Sequence, residues 1–245
     1  RRRIVSQCAG LCASVYPCVA RCRMASLSLY TDAALSVSGT LSVEDLDVSD
    51  TVSTSVDSVV ATGDAGSLVN ADFMAMLSVD AVDVIDSSST TGTINWDFDS
   101  NTEAFDHLAN GEELTLEYSV LATDSQGADS VAQTVTIKIT GTNDAPVASD
   151  YSVSTGENTI LNGSVVATDV DDAIDYYTLD ADVGAGEGSL TFNADGSYGF
   201  DPGTDFDDLA VNESRSVSFD YYASDVFGDN SGVQTVTIEV TGAND

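Results

Sequence analysis

The chain contains 245 residues, of which 42% are hydrophobic, so it is long enough for one large domain or for two ordinary domains with their own cores. Its 41 acidic residues far outnumber its 7 bases and give a formal net charge of −34 at pH 7. Because a body this acidic repels phosphate groups, nucleic acid and anionic membranes are predicted to be poor partners. The sequence also lacks the run of about 18 apolar residues that a membrane-spanning helix needs, so it predicts no membrane insertion.

Residues 1–29 differ in composition from everything that follows. They contain five of the bases and all four cysteines, at positions 8, 12, 18 and 22. The Cys-x3-Cys spacing is not the Cys-x2-Cys typical of zinc sites, and the segment lacks the apolar run of a signal peptide. We interpret it as a leader, disordered or artefactual, and exclude it from the fold. The remainder has no cysteine, so an extracellular form needs stabilisation other than disulfides, and bound ions are the usual alternative.

The remainder of the chain repeats itself. The segment from Phe105 to Asp144 aligns without a gap on the segment from Phe206 to Asp245, at a constant offset of 101 residues. Both copies contain the run Gln-Thr-Val-Thr-Ile and close on Gly-x-Asn-Asp. Chance does not produce such a match over this length, so it indicates two copies of one structural unit.

The upstream halves of the two copies also match. Asp45-Leu-Asp47 corresponds to Asp169-Val-Asp171, and the first copy is longer in the stretch that follows. The repeat therefore predicts two domains, one covering residues 30–144 with an insertion near 55–89 and one covering residues 145–245.

Short strands separated by turns are predicted throughout both copies. In the second copy, apolar residues alternate with polar neighbours at Val217, Phe219, Tyr221 and Ala223. Asn193–Gly196 has turn composition between two short apolar segments and predicts a hairpin. An early strand is predicted at Val165–Ala167, and a short helical turn at Asp72–Leu77. The pattern favours an all-β fold in which each copy is a sandwich of two antiparallel sheets.

Several acids at predicted strand ends recur in both copies. They are Asp45 and Asp47 with Asp169 and Asp171, Glu112 with Glu213, Asp124 with Asp225, and Asn143-Asp144 with Asn244-Asp245. A single acid at a strand end is usually a solvated turn residue. Acids that converge around a short linker are costly unless a cation lies among them. Calcium is bound by about six to eight oxygens from such groups, so the pattern favours calcium as a cofactor.

Three motifs carry a resemblance to a known family. The segments Val165–Asp172, Ala122-Thr-Asp124 and Thr140-Gly-Thr-Asn-Asp-Ala-Pro146 resemble the cadherin-like and VCBS-type repeats of large bacterial surface adhesins, including those exported by type I secretion. The resemblance implies two tandem Greek-key (Ig/cadherin-like) β-sandwich modules in a rod-like arrangement. It also implies calcium at the junctions and a non-catalytic, extracellular role as an extender of a bacterial adhesin, in cell adhesion or biofilm formation.

The resemblance also implies which residues bind calcium at each junction. The junction between the copies would use Glu112 or Glu113, Asn143, Asp144, Asp169, Asp171 and Asp225. A junction before the first copy would use Asp45, Asp47 and Asp124. A junction after the second would use Glu157, Glu213, Asn244 and Asp245. The implied partners are therefore neighbouring repeats of the same polypeptide, together with a cell-surface or glycan ligand.

The sequence offers no constellation of catalytic residues. The single histidine, His107, is replaced by Asp208 in the second copy, so we interpret it as an exposed loop residue. The alternative function is a carbohydrate-binding accessory module of a secreted hydrolase. That alternative requires exposed aromatic residues, for which Trp96, Tyr176 and Tyr177 are the candidates, although the position of Trp96 favours a core residue.

Overall fold

The structure is a computed structural model that describes residues 25–26 and 35–244. The chain divides into two compact units between Thr142 and Asn143, two residues before the boundary predicted from the repeat. Unit 1 covers residues 1–142 and unit 2 covers residues 143–245. Most of the predicted leader lies outside the described residues, but Ala25 and Ser26 within it form a strand.

Unit 1 is a sandwich of two sheets. Its elements are β1 (Ala25–Ser26), β2 (Ser36–Glu44), β3 (Val52–Thr62), α1 (Asn70–Met76), β4 (Leu77–Val79), β5 (Thr91–Asp99), β6 (Glu113–Asp124) and β7 (Gln133–Thr140). One sheet has the order β1-β7-β6-β3 and the other has the order β2-β5-β4. β1 runs parallel to β7, and the other neighbours are antiparallel.

The core of unit 1 lies between these sheets because each strand alternates apolar and polar residues. Leu114, Leu116 and Tyr118 on β6 are fully buried, and Ile94 and Phe98 on β5 belong to the same apolar cluster. The polar residues between them face outward, as a side-chain period of two requires.

The insertion of unit 1 is packed into its core. Phe73 and Met76 of α1 are buried, and the Tyr118 hydroxyl donates a hydrogen bond of 2.8 Å to the carbonyl oxygen of Phe73. The predicted helical turn in this region is confirmed, since α1 spans Asn70–Met76. Among the described residues, no helix is long and apolar enough to cross a membrane.

Unit 2 has the same two-sheet architecture. Its elements are β8 (Val147–Ala148), β9 (Tyr151–Gly156), β10 (Leu161–Ser164), β11 (Ala167–Thr168), β12 (Ile174–Ala181), β13 (Ser189–Phe192), β14 (Ser197–Asp201), β15 (Ser214–Asp225) and β16 (Gln234–Thr241). The larger sheet has the order β12-β15-β16-β9, and the sheet that faces it has the order β10-β14-β13. A third pair, β11 with β8, completes the unit.

The hairpin predicted at Asn193–Gly196 is confirmed, because β13 and β14 pair across this turn. The apolar face predicted on β15 is also confirmed, since Val217, Phe219 and Tyr221 are buried. The strand predicted at Val165–Ala167 is wrong. The chain changes partners there, from β14 beside β10 to β8 beside β11, so Val165 and Val166 connect two short strands and only Ala167 is in a strand.

An aromatic ring packs on a glycine of the neighbouring strand in both units. Trp96 lies opposite Gly39, and Tyr198 lies opposite Gly163. A Cβ atom added at Gly39 would lie 2.3 Å from the Trp96 indole, and one added at Gly163 would lie 2.4 Å from the Tyr198 ring. Both rings are buried, which confirms the interpretation of Trp96 as a core residue.

Candidate cation-binding site

Asp225 organises a tight loop at the end of β15. The residue is only 1% exposed. Its Oδ1 accepts hydrogen bonds from the backbone N–H groups of Phe227 (2.8 Å), Gly228 (2.6 Å) and Asp229 (2.9 Å). Gly228 has φ 91°, a left-handed conformation that glycine adopts without steric cost. The carboxylate therefore holds the loop 225–229 in one shape and fixes the position of Asp229.

Asn143, the first residue of unit 2, lies against this loop. Its Nδ2 donates to Asp225 Oδ2 and to Asp229 Oδ2, each at 2.8 Å. The same nitrogen lies 3.1 Å from the carbonyl oxygen of Asp144. The backbone N–H of Asp144 in turn donates to Asp171 Oδ2 at 3.3 Å. The start of unit 2 is thus attached to two acidic loops of its own body.

The second acidic loop follows β11. Asp169 Oδ1 accepts the backbone N–H groups of Asp171 (3.2 Å) and Asp172 (3.3 Å), which curls the loop around this carboxylate. The site so formed, here called the N-terminal cluster, consists of Asn143, Asp144, Asp169, Asp171, Asp172, Asp225 and Asp229. Within it, four buried oxygens have no hydrogen-bond partner among the described residues: Asn143 Oδ1, Asp169 Oδ2, Asp171 Oδ1 and Asp172 Oδ2.

Crowding of carboxylates perturbs the titration of this cluster. Burial, contact with the Asp169 carboxylate and the charges of Asp169 and Asp172 raise the pKa of Asp171 to about 7. Burial and the charges of Asp169 and Asp225 raise the pKa of Asp172. Burial alone would also raise the pKa of Asp225, but its hydrogen bonds from Asn143 and the loop N–H groups lower it. The raised pKa means that the Asp171 carboxyl keeps its proton to a higher pH than an isolated aspartate does.

In chelator, we expect stability to fall as the pH rises from about 4 to about 7. The folded-state pKa of Asp171 lies above its unfolded value, so the proton that favours folding is lost across this window. Asp171→Asn imitates the protonated acid and should flatten the slope of unfolding free energy against pH. Asp47→Asn, at the equivalent position of unit 1, is the matched control. A slope that is unchanged in Asp171→Asn would contradict this assignment.

Unit 1 carries a smaller cluster at the equivalent place. Carboxylate oxygens of Asp45, Asp50 and Asp124 all lie within 4.8 Å of one another. Asp50 is 9% exposed and accepts a hydrogen bond from the Ser125 hydroxyl at 3.0 Å. Asp124 Oδ1 accepts the backbone N–H groups of its own loop, as Asp225 does. Asp47, which the sequence placed in this site, is exposed and is not a member of the group.

The glutamates placed in the sites by sequence have other partners in the structure. Glu112 and Glu213 each accept a backbone N–H three residues earlier, from Ala109 (3.2 Å) and Ala210 (3.0 Å), and so close a turn. Glu113 forms an ion pair of 2.6 Å with Lys138 across β6 and β7. None of these three glutamates belongs to the clusters described above.

Glu157 lies at the other end of unit 2 and is 1% exposed. Its Oε1 accepts the backbone N–H of Ala243 at 2.7 Å. Its Oε2 is buried and has no hydrogen-bond partner among the described residues. Asp245, proposed for the same end, lies outside the described residues. At this end of unit 2, one buried carboxylate is therefore held beside the residues that follow β16.

Sequence reasoning missed three acids: Asp50, Asp172 and Asp229. They were missed because the prediction rested mainly on acids that recur in both copies and on the motifs of the resemblance. Val48 stands at the equivalent of Asp172, and Ala128 at the equivalent of Asp229. The available signal was local: Asp172 directly follows Asp171, and Asp229 lies four residues after Asp225.

The donor set of the N-terminal cluster fits calcium. Its side chains offer hard carboxylate and amide oxygens from three separate segments, which is the ligand chemistry of this ion. Oxygens that are buried without a hydrogen-bond donor are costly unless something else satisfies them, and a cation would do so. Asn143, Asp169, Asp171, Asp172 and Asp225 would hold the ion, and its charge would offset the mutual repulsion of the four carboxylates.

The fold and the cluster thus define a tandem β-sandwich protein with oxygen-rich loops at one end of each unit. Residues 143–242, nearly all of unit 2, match the family model of the bacterial cadherin-like domain. This match confirms, for unit 2, the resemblance to cadherin-like repeats of bacterial proteins. Domains of this class are typically adhesion domains of surface or extracellular proteins and not enzymes. No curated protein sequence matches the chain.

Several solved structures are similar. Extracellular cadherin domains 1–4 of protocadherin gamma B7 show 16% identity and a TM-score of 0.37, over 90% of this chain and 49% of that one. Domains EC1–2 of chicken VE-cadherin show 16% identity and a TM-score of 0.37, over 90% and 98%. The sialic acid binding region of a Streptococcus sanguinis adhesin shows 9% identity and a TM-score of 0.31, over 93% and 78%. The chain spans about half the length of the protocadherin fragment.

Proposed function

We propose that this chain is a calcium-stabilised extender segment of a large bacterial cell-surface protein, that it is not catalytic, and that it supports cell adhesion or biofilm formation. Its partners are neighbouring repeats of the same polypeptide. The observation that carries the proposal is a set of buried oxygens in the N-terminal cluster that accept no hydrogen bond from the described part of the chain. They lie in a unit that matches the bacterial cadherin-like domain.

The physical mechanism concerns the first residues of unit 2. Without a cation, the carboxylates around Asn143 and Asp144 repel one another, and that repulsion opposes docking of the segment. With calcium, the same oxygens coordinate one divalent ion, and the backbone at the start of the unit becomes fixed. Extracellular modules bind calcium at about 10⁻⁴–10⁻³ M, so such a site fills outside a cell and empties inside it. The polypeptide would be exported unfolded and would gain stability on arrival.

The alternative, a carbohydrate-binding module, has less support. Trp96 is 3% exposed and packs in the core of unit 1. The Tyr177 hydroxyl accepts the backbone N–H of Ala167 at 2.9 Å, and its ring lies against Tyr221. Of the three candidate aromatics, only Tyr176, which is 41% exposed, presents an accessible ring. A single exposed tyrosine makes a poor platform for a sugar chain, so the extender function is preferred.

Calorimetric melting of the full chain tests the proposal. At about 10 mM calcium, a site with a dissociation constant of about 10⁻⁴–10⁻³ M stabilises its unit by about 1.4–2.7 kcal/mol relative to chelator. Magnesium should stabilise less, because it demands octahedral geometry and dehydrates reluctantly. The variant Asp169→Asn/Asp171→Asn should lose the gain in unit 2, whereas Asp180→Asn, at the far end of β12, should keep it. Equal melting temperatures in calcium and in chelator would contradict the calcium mechanism.

A further inference from the structure

Asp229 contacts the N-terminal cluster in a way that differs from the other acids. Its Oδ2 accepts a hydrogen bond from Asn143 Nδ2 at 2.8 Å, and the same nitrogen donates to Asp225 Oδ2 at 2.8 Å. Its Oδ2 thus has a hydrogen-bond partner, whereas one oxygen of each of Asp169, Asp171 and Asp172 has none within the described ranges. Asp229 is exposed, whereas Asp225 is buried, so it lies at the outer side of the cluster.

The two hydrogen bonds fix the Asn143 amide as a whole. A carboxamide is planar, so a nitrogen held by two acceptors also determines where the oxygen lies. That oxygen, Asn143 Oδ1, is buried and has no hydrogen-bond partner among the described residues. The amide therefore keeps its donor on Asp225 and Asp229 and leaves its acceptor for another ligand.

Unit 1 lacks this arrangement at the equivalent position. Its loop after Asp124 is closed by the same type of hydrogen bond, from Gln126 and Ala128 to Asp124 Oδ1, each at 2.8 Å. Ala128 stands where unit 2 has Asp229. The loop thus forms without an acid at this place, so Asp229 is not needed to make the turn.

We propose that Asp229 is a positioning residue that latches Asn143 before calcium binds, so that the unit 2 site is preorganised for the ion. The proposal rests on the proposed calcium function. An amide oxygen that is already fixed loses no rotamer freedom when a cation arrives, and preorganisation of this kind raises affinity without any added metal ligand. Asp229 acts through Asn143 and does not contact the ion.

Calcium titration of the full chain by calorimetry tests the latch. Asp229→Ala removes one charge-assisted hydrogen bond and is expected to weaken calcium binding at unit 2 about five- to tenfold. Asp229→Asn keeps an acceptor oxygen for Asn143 and should bind within about twofold of the wild type, since about 0.4 kcal/mol corresponds to twofold. If Asn and Ala weaken binding equally, the charge of Asp229 acts on the ion directly and the latch is overturned.

A double-mutant cycle with Asn143→Ala separates action through Asn143 from any other effect. Asp229→Ala should have no further effect on calcium affinity once Asn143 is alanine. Additive losses in the double variant would overturn the proposal.

A metal-free readout keeps the inference distinct from the calcium function. In chelator, Asp229→Ala should speed hydrogen exchange at the amides of residues 143–145, and Asp229→Asn should not. If the wild type binds no calcium but the two variants differ in exchange in this way, the calcium function fails and the contact of Asp229 with Asn143 stands. If calcium binds and exchange is unchanged in Asp229→Ala, the latch fails alone.

Discussion

Asp225→Ala is expected to lower the free energy of unfolding of unit 2 by about 3 kcal/mol in chelator, because three backbone N–H groups each lose an acceptor worth about 1 kcal/mol. Those groups belong to Phe227, Gly228 and Asp229, and Asp225 is 1% exposed, so water does not readily replace the lost oxygen. The same variant should also remove calcium stabilisation from unit 2, since it deletes a carboxylate from the center of the N-terminal cluster.

Asp225→Asn separates the two roles of this side chain. Its amide oxygen can still accept the three loop N–H groups, but its nitrogen replaces the oxygen that accepts from Asn143 Nδ2, so stability in chelator should fall by about 1–2 kcal/mol, less than in Asp225→Ala. Its calcium gain should be lost, because a neutral amide replaces a carboxylate. Calorimetry in calcium and in chelator measures both quantities. Trp96, the single tryptophan, lies in unit 1, so its fluorescence reports on that unit and should be unchanged by either variant.

Two outcomes would contradict this account of Asp225. One is an Asp225→Ala variant that melts as the wild type does in chelator, which would mean that the loop closes without the carboxylate. The other is an Asp225→Asn variant with the full calcium gain, which would remove Asp225 from the ion site.

Gly141→Ala is expected to destabilise unit 1 by about 3 kcal/mol, the upper part of the range for overpacked sites. A Cβ atom at Gly141 would lie 2.1 Å from the carbonyl oxygen of Leu108 and 2.4 Å from that of Ala109. The backbone cannot easily withdraw, because Gly141 N–H donates to Glu112 O at 2.8 Å and Gly111 N–H donates to Gly141 O at 3.0 Å. Chemical denaturation followed by Trp96 fluorescence measures the effect.

Gly242→Ala provides the parallel test in unit 2, where the added Cβ would lie 2.5 Å from the carbonyl oxygen of Ala210. The matched control is Gly199→Ala on β14, whose added Cβ would meet Asn162 Oδ1 at an ordinary distance of 3.5 Å. Gly199→Ala should change stability by less than about 1 kcal/mol. A Gly242→Ala variant as stable as Gly199→Ala would show that the turn at Ala210 yields at little cost.

Much of the fold could be predicted from the sequence because it depends on local patterns. Alternation with a period of two identifies the buried face of β15, and a turn sequence identifies the β13–β14 hairpin. The repeat predicted two units, and the structure divides the chain at Thr142. The strand at Val165–Ala167 was wrong because a change of strand partner leaves no trace in the alternation of side chains.

The interpretation of His107 as an exposed loop residue was also wrong. Its Nε2 is buried, and a Cβ atom added at Gly66 would lie 2.9 Å from that nitrogen. The contact comes from the insertion of unit 1, which the second copy lacks. Comparison of the copies therefore could not predict it.

The sequence by itself determined which acids recur, and hence that Asp124 and Asp225 occupy equivalent loop positions. Only the tertiary structure decided which carboxylates share a site. In the structure, Asp50 and not Asp47 lies with Asp45 and Asp124, Asp172 and Asp229 lie in the N-terminal cluster, and Glu113 pairs with Lys138. The reason is that a cation site is assembled from separate segments, and distances between segments depend on strand pairing and loop closure. Spacing along the chain fixes neither.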